Sequence, residues 1–234
     1  MSLHAPWLPR GTVYGTLLNF RREWDRWAPK MSQAPYKAAP RAPVLYVKTA
    51  NSFAPTGAAV PVTGAVELGA TLGLVIGDFE TNAAAARSSK AQAAIKFELD
   101  GLARVAGCVL LDDLSLPHAS YYRPAIRYRN RDGFLVCAPA VTPLREVDLK
   151  ALRIEARVNG ALVQTVDLST LVRDAATLLA DVGAFMTLQP GDVLLLGTDC
   201  LADGTRPRVR AGDRVEISAP GLAPLVHTLA QEAA

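Results

Sequence analysis

Cysteine is scarce in this sequence, and its spacing excludes two common uses of the residue. The three cysteines, Cys108, Cys137 and Cys200, lie far apart and form no CxxC motif. An odd and widely spaced set fits neither a disulfide framework nor a zinc site. We therefore expect buried, reduced thiols and a reducing compartment, the cytoplasm.

Long apolar runs are missing as well. No segment approaches the roughly 20 consecutive apolar residues that span a bilayer, and the first residues contain no apolar stretch of signal-peptide length. We therefore expect no membrane partner.

The chain also lacks a strong excess of one charge. Lysine and arginine total 25 against 22 aspartates and glutamates, which gives a formal net charge of +3. The arginines concentrate at 123–131 and 206–210, without the interleaved aromatics and high charge density of a nucleic-acid-binding face. We expect no nucleic-acid partner, and an anionic small molecule suits this charge better.

What the sequence does contain is a series of short apolar bursts bounded by Gly, Pro or Asp. Such bursts predict strands, and they lie at 44–49, 59–63, 71–77 and 108–111. Asn159-Gly160 between two alternating segments predicts a tight hairpin, because both residues tolerate positive φ. Many short strands, few helices and no regular βαβ alternation favour an α+β fold.

Two stretches show the apolar spacing of helices. The first runs from Ser88 to Ala106, with Gly107 as its stop, and its apolar positions are Ile95, Leu99, Leu102 and Ala106. The second begins at Asp167 or Ser169, either of which could be the N-cap, and its apolar stripe is Leu171, Ala175, Leu178, Leu179 and Val182.

The length of 234 residues is enough for one domain with a full core. We predict a single domain over 1–234, in which residues 1–42 form an N-terminal element packed on the body. The Pro- and Ala-rich segment 28–43 lacks periodicity and predicts an extended loop.

The residues best suited to chemistry follow a buried strand. Asp112 and Asp113 end the apolar run at 109–111, and acids at a strand end can face a pocket while the strand holds them rigidly. The alternative is an Asx-type turn after the strand. His118, a few residues on, could act as a base near neutral pH or could lie in a surface loop.

Two further segments could bind anions. Four arginines within 123–131 could clamp carboxylates, or they could form one solvated face of a hairpin. The phrase GDVLLLGT at 191–198 ends a buried strand at Thr198. Its backbone N–H groups and the Thr198 hydroxyl could bind an anionic oxygen, although a plain strand-to-loop transition is the equal alternative.

A set of phrases in fixed order along nearly the whole chain is more specific than any of these motifs. The phrases are LLNF (17–20), VLYVKT (44–49), GATLGLVIG (69–77), GCVLLDDLS (107–115), RNRDGF (129–134), LQPGDVLLLGT (188–198) and AGDRVEISAPGLAPL (211–225). Together they resemble the fumarylacetoacetate hydrolase family. The nearest branch is the N-terminal half, or first subunit, of the enzymes that isomerise and decarboxylate intermediates of homoprotocatechuate (4-hydroxyphenylacetate) breakdown.

The resemblance implies a mixed β-roll with few helices, and chemistry on small 2-oxo or 2-hydroxydienoic di- or tricarboxylates with Mg²⁺, Mn²⁺ or Ca²⁺. The family holds its metal on two glutamates of an E-x-E phrase and one aspartate, since hard cations prefer oxygen ligands. Gly69 and Thr71 stand at the glutamate positions here, and Asp113 is the matching metal ligand that remains. We therefore expect a degenerate site with severely weakened metal binding.

The resemblance also assigns residues to the substrate. Arg129 stands at a basic family position that is commonly lysine, and it keeps the charge but not a lysine's proton-transfer chemistry. Glu23 and Arg26 replace the family's histidine and glutamate acid/base pair. The expected catalytic residues are Arg129, Thr198 and His118. The expected substrate-binding residues are Arg129, Thr198, Tyr122 and Lys48.

Three functions remain open from the sequence. In the first, the chain and a homologous subunit that retains the metal acids isomerise 2-hydroxyhepta-2,4-diene-1,7-dioate or decarboxylate 5-oxopent-3-ene-1,2,5-tricarboxylate, as a hetero- or homo-oligomer. In the second, the chain is a non-catalytic dicarboxylate-binding or structural homologue. In the third it acts alone with a reorganised site, whose ligands come from Asp112, Asp113, Glu67 or His118.

Overall fold

A computed structural model describes residues 5–77, 102–118 and 126–232. In this part of the chain the strands are β1 (Val13–Leu17), β2 (Val44–Lys48), β3 (Phe53–Pro55), β4 (Ala59–Val62), β5 (Val66–Glu67), β6 (Ala70–Ile76), β7 (Val105–Asp113), β8 (Leu135–Cys137), β9 (Thr142–Pro143), β10 (Arg153–Val158), β11 (Ala161–Asp167), β12 (Val193–Leu195), β13 (Arg208–Val209), β14 (Arg214–Ser218) and β15 (Leu225–Gln231). The α-helices are α1 (Arg21–Met31), α2 (Ile126–Arg129) and α3 (Ala175–Gly183). Short 3₁₀ turns lie at Ala50–Ser52, Leu144–Glu146 and Leu168–Thr170.

The strands form three sheets of mixed direction. The largest has the order β2-β1-β12-β6-β7-β8-β3, with β9 added beside β7, and the second has the order β11-β10-β14-β15-β4. A two-stranded ribbon joins β13 to β5. The pairs β1–β12, β3–β8 and β4–β15 are parallel, and the others are antiparallel. This architecture confirms the α+β expectation.

The core lies between the two larger sheets, where β10, β14 and β15 contact β6, β7 and β8. Strands β6 and β7 are buried along nearly their whole length. Both of their faces are covered, which explains why their sequences are continuous apolar runs rather than alternating ones. Gly69 directly precedes β6, and Asp113 ends β7, next to the site described below.

The predicted hairpin is confirmed. Asn159 and Gly160 connect β10 to β11 with φ of 51° and 85°, the left-handed conformation that such a two-residue turn requires. The four strand segments predicted from apolar bursts correspond to β2, β4, β6 and β7.

The second predicted helix was placed too early. Helix α3 begins at Ala175, and the side chain of Asp174 caps it by accepting from the Thr177 N–H at 2.8 Å. Asp167 instead caps the preceding 3₁₀ turn. The helix starts late because Leu171 pairs with Phe20 in an antiparallel bridge, and this tertiary contact overrides the local periodicity.

The first predicted helix lies mostly outside the described residues, which exclude 78–101. At its expected end, residues 102–104 form a turn and Val105 begins β7 by pairing with Ile76, so the prediction of a helix to Ala106 was wrong. None of the described helices is long and apolar enough to cross a membrane.

The N-terminal element packs through a small apolar cluster of its own. Helix α1 runs to Met31 and so includes the first four residues of the predicted loop 28–43, because Met31 is buried against Leu17, Leu18 and Tyr46. Trp24 and Trp27 cover the same cluster. Helix α1 thus packs against β1 and β2, while the single domain over 1–234 and its N-terminal element stay predictions.

The cysteines are free and buried, as expected. Burial raises the pKa of the Cys108 and Cys137 thiols to about 12, and that of Cys200 to about 11. At neutral pH these thiols are protonated and inert.

Gly73 in β6 is a close-packed position that tests this core. A Cβ there would lie 2.6 Å from Leu111 Cδ1 and 2.8 Å from Val193 Cγ1. We expect Gly73→Ala to lower the free energy of unfolding by about 1–3 kcal/mol, the usual cost of overpacking. The control Gly64→Ala has no atom within 4 Å of its Cβ and should change stability by less than about 0.5 kcal/mol. Urea unfolding followed by circular dichroism measures both, and equal effects would contradict the packing described.

Candidate functional site

A charged cavity of about 390 Å³ opens beside helix α1. Its acidic, basic and imidazole lining residues are Glu23, Arg26, Glu67, His118, Arg129, Arg206 and Arg208. A larger and mainly apolar cavity of about 790 Å³ lies against α3 and contains none of the predicted site residues. The smaller cavity is therefore the candidate site, because it combines convergent polar groups with a volume in the range of ligand pockets.

Asp113 lies in a fully buried ion cluster behind the wall of this cavity. Its Oδ1 is 2.9 Å from the Lys48 ammonium, and its Oδ2 is 2.7 Å from Nη1 of Arg129. The Tyr46 hydroxyl also donates to Oδ2, and the Arg129 guanidinium stacks over the Tyr46 ring at 4.6 Å. Both carboxylate oxygens of Asp113 are thus occupied by side-chain cations of the chain itself.

Lys48 is held by partners within the chain. Besides its ion pair with Asp113, its ammonium donates to the main-chain carbonyl oxygens of Arg129 and Phe134. It is fully buried and does not line the cavity. Lys48 was predicted to bind substrate, but in the structure its ammonium balances the negative charge of Asp113.

Burial and the neighbouring charges shift the pKa values of the cluster in directions that follow from its ion pairs. Burial alone would raise the pKa of Asp113, but Lys48 and Arg129 outweigh burial and hold that pKa below its usual value. Burial raises the pKa of Tyr46 well above 10, so the phenol stays a neutral donor. Burial lowers the pKa of Lys48, and the carboxylate of Asp113 opposes that shift.

Comparison with known proteins supplies the family. The family model described as fumarylacetoacetate (FAA) hydrolase C-terminal matches residues 12–230. The chain belongs to the fumarylacetoacetate hydrolase family. It is 34% identical over 95% of its length to the 4-hydroxyphenylacetate degradation bifunctional isomerase/decarboxylase of Escherichia coli, and 36% identical over the same share to that of Salmonella dublin. It spans 48% of the length of each of these relatives.

Solved structures show the same fold. A 5-carboxymethyl-2-hydroxymuconate delta-isomerase from Mycobacterium smegmatis matches with a TM-score of 0.70 at 23% identity, over 95% of this chain and 80% of that one. A maleylpyruvate hydrolase from Sphingobium sp. SYK-6, crystallised with manganese(II) and pyruvate, matches with a TM-score of 0.69 at 21% identity, over 97% of this chain and 72% of that one. The mixed β-roll expected from the sequence is confirmed.

The family's divalent cation does not fit the residues present here. A Cβ on Gly69 would lie 2.1 Å from the Asp113 carbonyl oxygen, so the strands are too close for a longer side chain. The Thr71 hydroxyl donates to the Gly197 carbonyl at 2.6 Å. The described residues contain no group of three or more His, Cys, Asp or Glu side chains arranged to hold a metal.

Asp112 points away from the cavity, on the opposite face of β7 from Asp113. Its Oδ1 accepts from the Gly69 N–H at 2.8 Å, and its Oδ2 lies 2.8 Å from Nε2 of His227. Both side chains are fully buried. The ligands expected for a stand-alone reorganised site therefore do not converge: Glu67 and His118 line the cavity, whereas Asp112 and Asp113 are committed elsewhere.

His118 lines the cavity with its ring held in one orientation. Its Nδ1 lies 2.9 Å from the Leu116 carbonyl oxygen, and its ring stacks on Tyr128 at 5.1 Å. Burial lowers its pKa, the largest of several influences, so the neutral ring predominates at neutral pH. Because Nδ1 donates to the carbonyl, Nε2 is the nitrogen that can accept a proton.

Thr198 and Tyr122 are the remaining predicted substrate contacts. Thr198 is buried beside Gly69, with its Cγ2 3.1 Å from a Cβ placed there, and within the described structure its hydroxyl has no hydrogen-bond partner. It does not line the cavity. Tyr122 lies outside the described residues.

Sequence reasoning missed two ion pairs and a hydrogen bond that join α1 to the segment 199–206. Glu23 accepts from Arg206 at 2.9 Å, Arg22 pairs with Asp199 at 3.3 Å, and Arg26 donates to the Gly204 carbonyl oxygen. One signal for these contacts was available in the sequence. Glu23 and Arg26 stand where the resemblance places a histidine and a glutamate, and basic residues gather at 206–210.

Removing the anion of the buried cluster should be costly. Asp113→Asn would leave the Lys48 and Arg129 charges without a counter-charge, and we expect it to lower the free energy of unfolding by about 3–5 kcal/mol. Tyr46→Phe removes one hydrogen bond to the same carboxylate and should cost less, about 1.5–3 kcal/mol. Urea titrations at pH 7 measure both; a D113N protein as stable as wild type would show that the cluster does not hold the site together.

The same cluster predicts a pH dependence. Because the folded-state pKa of Asp113 is depressed, its stabilising effect is present above about pH 4, the unfolded pKa, and is lost as pH falls through the folded pKa. The stability gap between wild type and D113N should therefore shrink below pH 4. A gap that stays constant from pH 7 to pH 3 would contradict the assigned ionisation.

Proposed function

We propose that this chain is the metal-free half of a bifunctional isomerase/decarboxylase of 4-hydroxyphenylacetate breakdown. Its substrates would be 2-hydroxyhepta-2,4-diene-1,7-dioate for isomerisation and 5-oxopent-3-ene-1,2,5-tricarboxylate for decarboxylation. A second, homologous half that retains the family's glutamates would provide the metal site, on the same or on a separate polypeptide. The names of the curated relatives support this proposal, as does their length, about twice that of this chain.

The observation that carries the proposal is the occupation of Asp113. Lys48 and Arg129 bring two positive charges to this carboxylate, the same formal charge as a divalent cation. A metal ion would have to displace both from a fully buried site, leaving two cations unpaired, which is strongly unfavourable. Metal chemistry therefore belongs to the other half, and this half retains a charged cavity.

The chain's own residues can bind and orient an anionic substrate. Arginine binds carboxylates in bidentate fashion, and Arg129, Arg206 and Arg208 reach the cavity. The neutral His118 ring can accept a proton at Nε2. We infer a role in substrate binding, with His118 as the proton acceptor available in this half.

A second candidate function is a non-catalytic dicarboxylate-binding homologue. The four arginines around a cavity without a fitting metal site favour it, because they can hold a diacid without turnover. In either case the partner is a small dicarboxylate, and assembly into a homo- or hetero-oligomer remains our expectation.

A turnover assay with added Mg²⁺ separates these functions. The isolated chain, a metal-retaining family chain and an equimolar mixture would be compared on the dienedioate substrate. We expect little turnover by the isolated chain, and more by the mixture than by the metal-retaining chain alone. The control is a mixture containing His118→Ala, which should lose part of the gain.

Two results would count against the proposal. EDTA-sensitive turnover by the isolated chain, at a rate typical of an enzyme, would show that it carries a working metal site. A mixture no more active than the metal-retaining chain would favour the non-catalytic binding function.

A further inference from the structure

The cavity contains an internal carboxylate that already occupies one of its arginines. Oε1 of Glu23 lies 2.9 Å from Nη2 of Arg206, and both side chains are only 9% exposed. Oε2 of Glu23 accepts from the Leu18 N–H at 2.9 Å. Glu23 therefore has one contact with the main chain and one with an arginine that lines the cavity.

The cavity wall has more positive charge than its own acids neutralise. Four arginines and two glutamates line it, an excess of two positive charges. The Lys48 and Arg129 cations share the single Asp113 carboxylate, so the groups behind the wall do not remove this excess. Nε of Arg129 is buried and has no hydrogen-bond partner in the described structure. A dianion would balance this wall.

We propose that Glu23 is a displaceable internal anion, and that one carboxylate of a linear dicarboxylate takes its place on Arg206 without a metal ion. The ligand class rests on the function proposed above. The exchange replaces one carboxylate by another on the same guanidinium, so the charge on Arg206 stays paired.

Glu23 keeps other partners when a ligand carboxylate displaces it from Arg206. Its bond to the Leu18 N–H remains, and Arg26 lies three residues further along α1, where side chains of one helix face are neighbours. The second carboxylate of the ligand meets Arg208 or Arg129, which line the same cavity. Arg206 thus binds one carboxylate of the diacid, and Glu23 competes for that contact.

Calorimetric titration of the purified chain in EDTA tests this proposal. The probe is heptanedioate, a saturated seven-carbon diacid, and heptanoate is the monoacid of equal length. We expect wild type to bind the diacid at least about tenfold more tightly than the monoacid, because one charged contact is lost in the monoacid. No diacid binding, or equal affinities, would overturn the proposal.

Variants at the ion pair give the sharper comparison. Arg206→Met should weaken heptanedioate binding at least about tenfold. Arg210→Met removes the same charge from an exposed residue of the same segment that does not line the cavity, and it should bind like wild type. Glu23→Gln keeps an acceptor for the Leu18 N–H but removes the competing charge, so it should bind the diacid more tightly than wild type.

Clear results would overturn this inference. Arg206→Met binding like wild type, or Glu23→Gln binding more weakly than wild type, would each contradict the exchange. Should Arg206→Met fail to fold, Arg206→Lys preserves the charge without the bidentate fork and should still weaken binding, whereas unchanged affinity would contradict the proposal.

The outcome is independent of the turnover assay. Arg206-dependent diacid binding in EDTA, together with a mixture that gains no activity, would retain the exchange and reject the catalytic role. A gain in activity, together with diacid binding that does not depend on Arg206, would retain the catalytic role and reject the exchange.

Discussion

The buried carboxylate of Asp113 forms ion pairs with Lys48 and Arg129, and the rest of the site depends on this interaction. It joins β7 to β2 through Lys48 and to α2 through Arg129, so segments distant in sequence meet at one point. A buried charge is tolerated only when paired, and here each oxygen of the carboxylate forms an ion pair, one with Lys48 and one with Arg129. The position of the cavity wall depends on this arrangement, because Arg129 belongs to the cluster and also lines the cavity.

Under the proposed function, this arrangement would let the family fold persist without a metal ion in this half. Positions 69 and 71 hold Gly and Thr, and the Asp113 backbone lies so close to Gly69 that a Cβ there would be 2.1 Å from the Asp113 carbonyl oxygen. In the proposed function, the Lys48 and Arg129 cations balance the Asp113 charge that a metal ion would otherwise balance. The cavity in front remains open and positively charged, which suits binding of an anion more than metal-assisted chemistry.

Local sequence patterns predicted much of the fold and part of the site. Apolar bursts located the central strands, and the Asn159-Gly160 turn fixed one hairpin. Asp113 was singled out as an acid at the end of a buried strand, and the structure places it there, whereas its assignment as a metal ligand stays a prediction. The pairing of Lys48 with the main chain of Arg129 spans 81 residues, and that of Glu23 with Arg206 spans 183. No local periodicity encodes such contacts, so the commitment of Lys48 and the ion pairs of α1 emerged only from the three-dimensional structure.

The replacement of a divalent cation by Lys48 and Arg129 is tested most directly by anomalous X-ray scattering. Crystals would be grown with manganese chloride and oxalate, and data collected at the manganese absorption edge. We predict no anomalous peak within bonding distance of Asp113, with Nη1 of Arg129 still in contact with its carboxylate. A manganese peak coordinated by Asp113, with Arg129 displaced, would contradict this central claim.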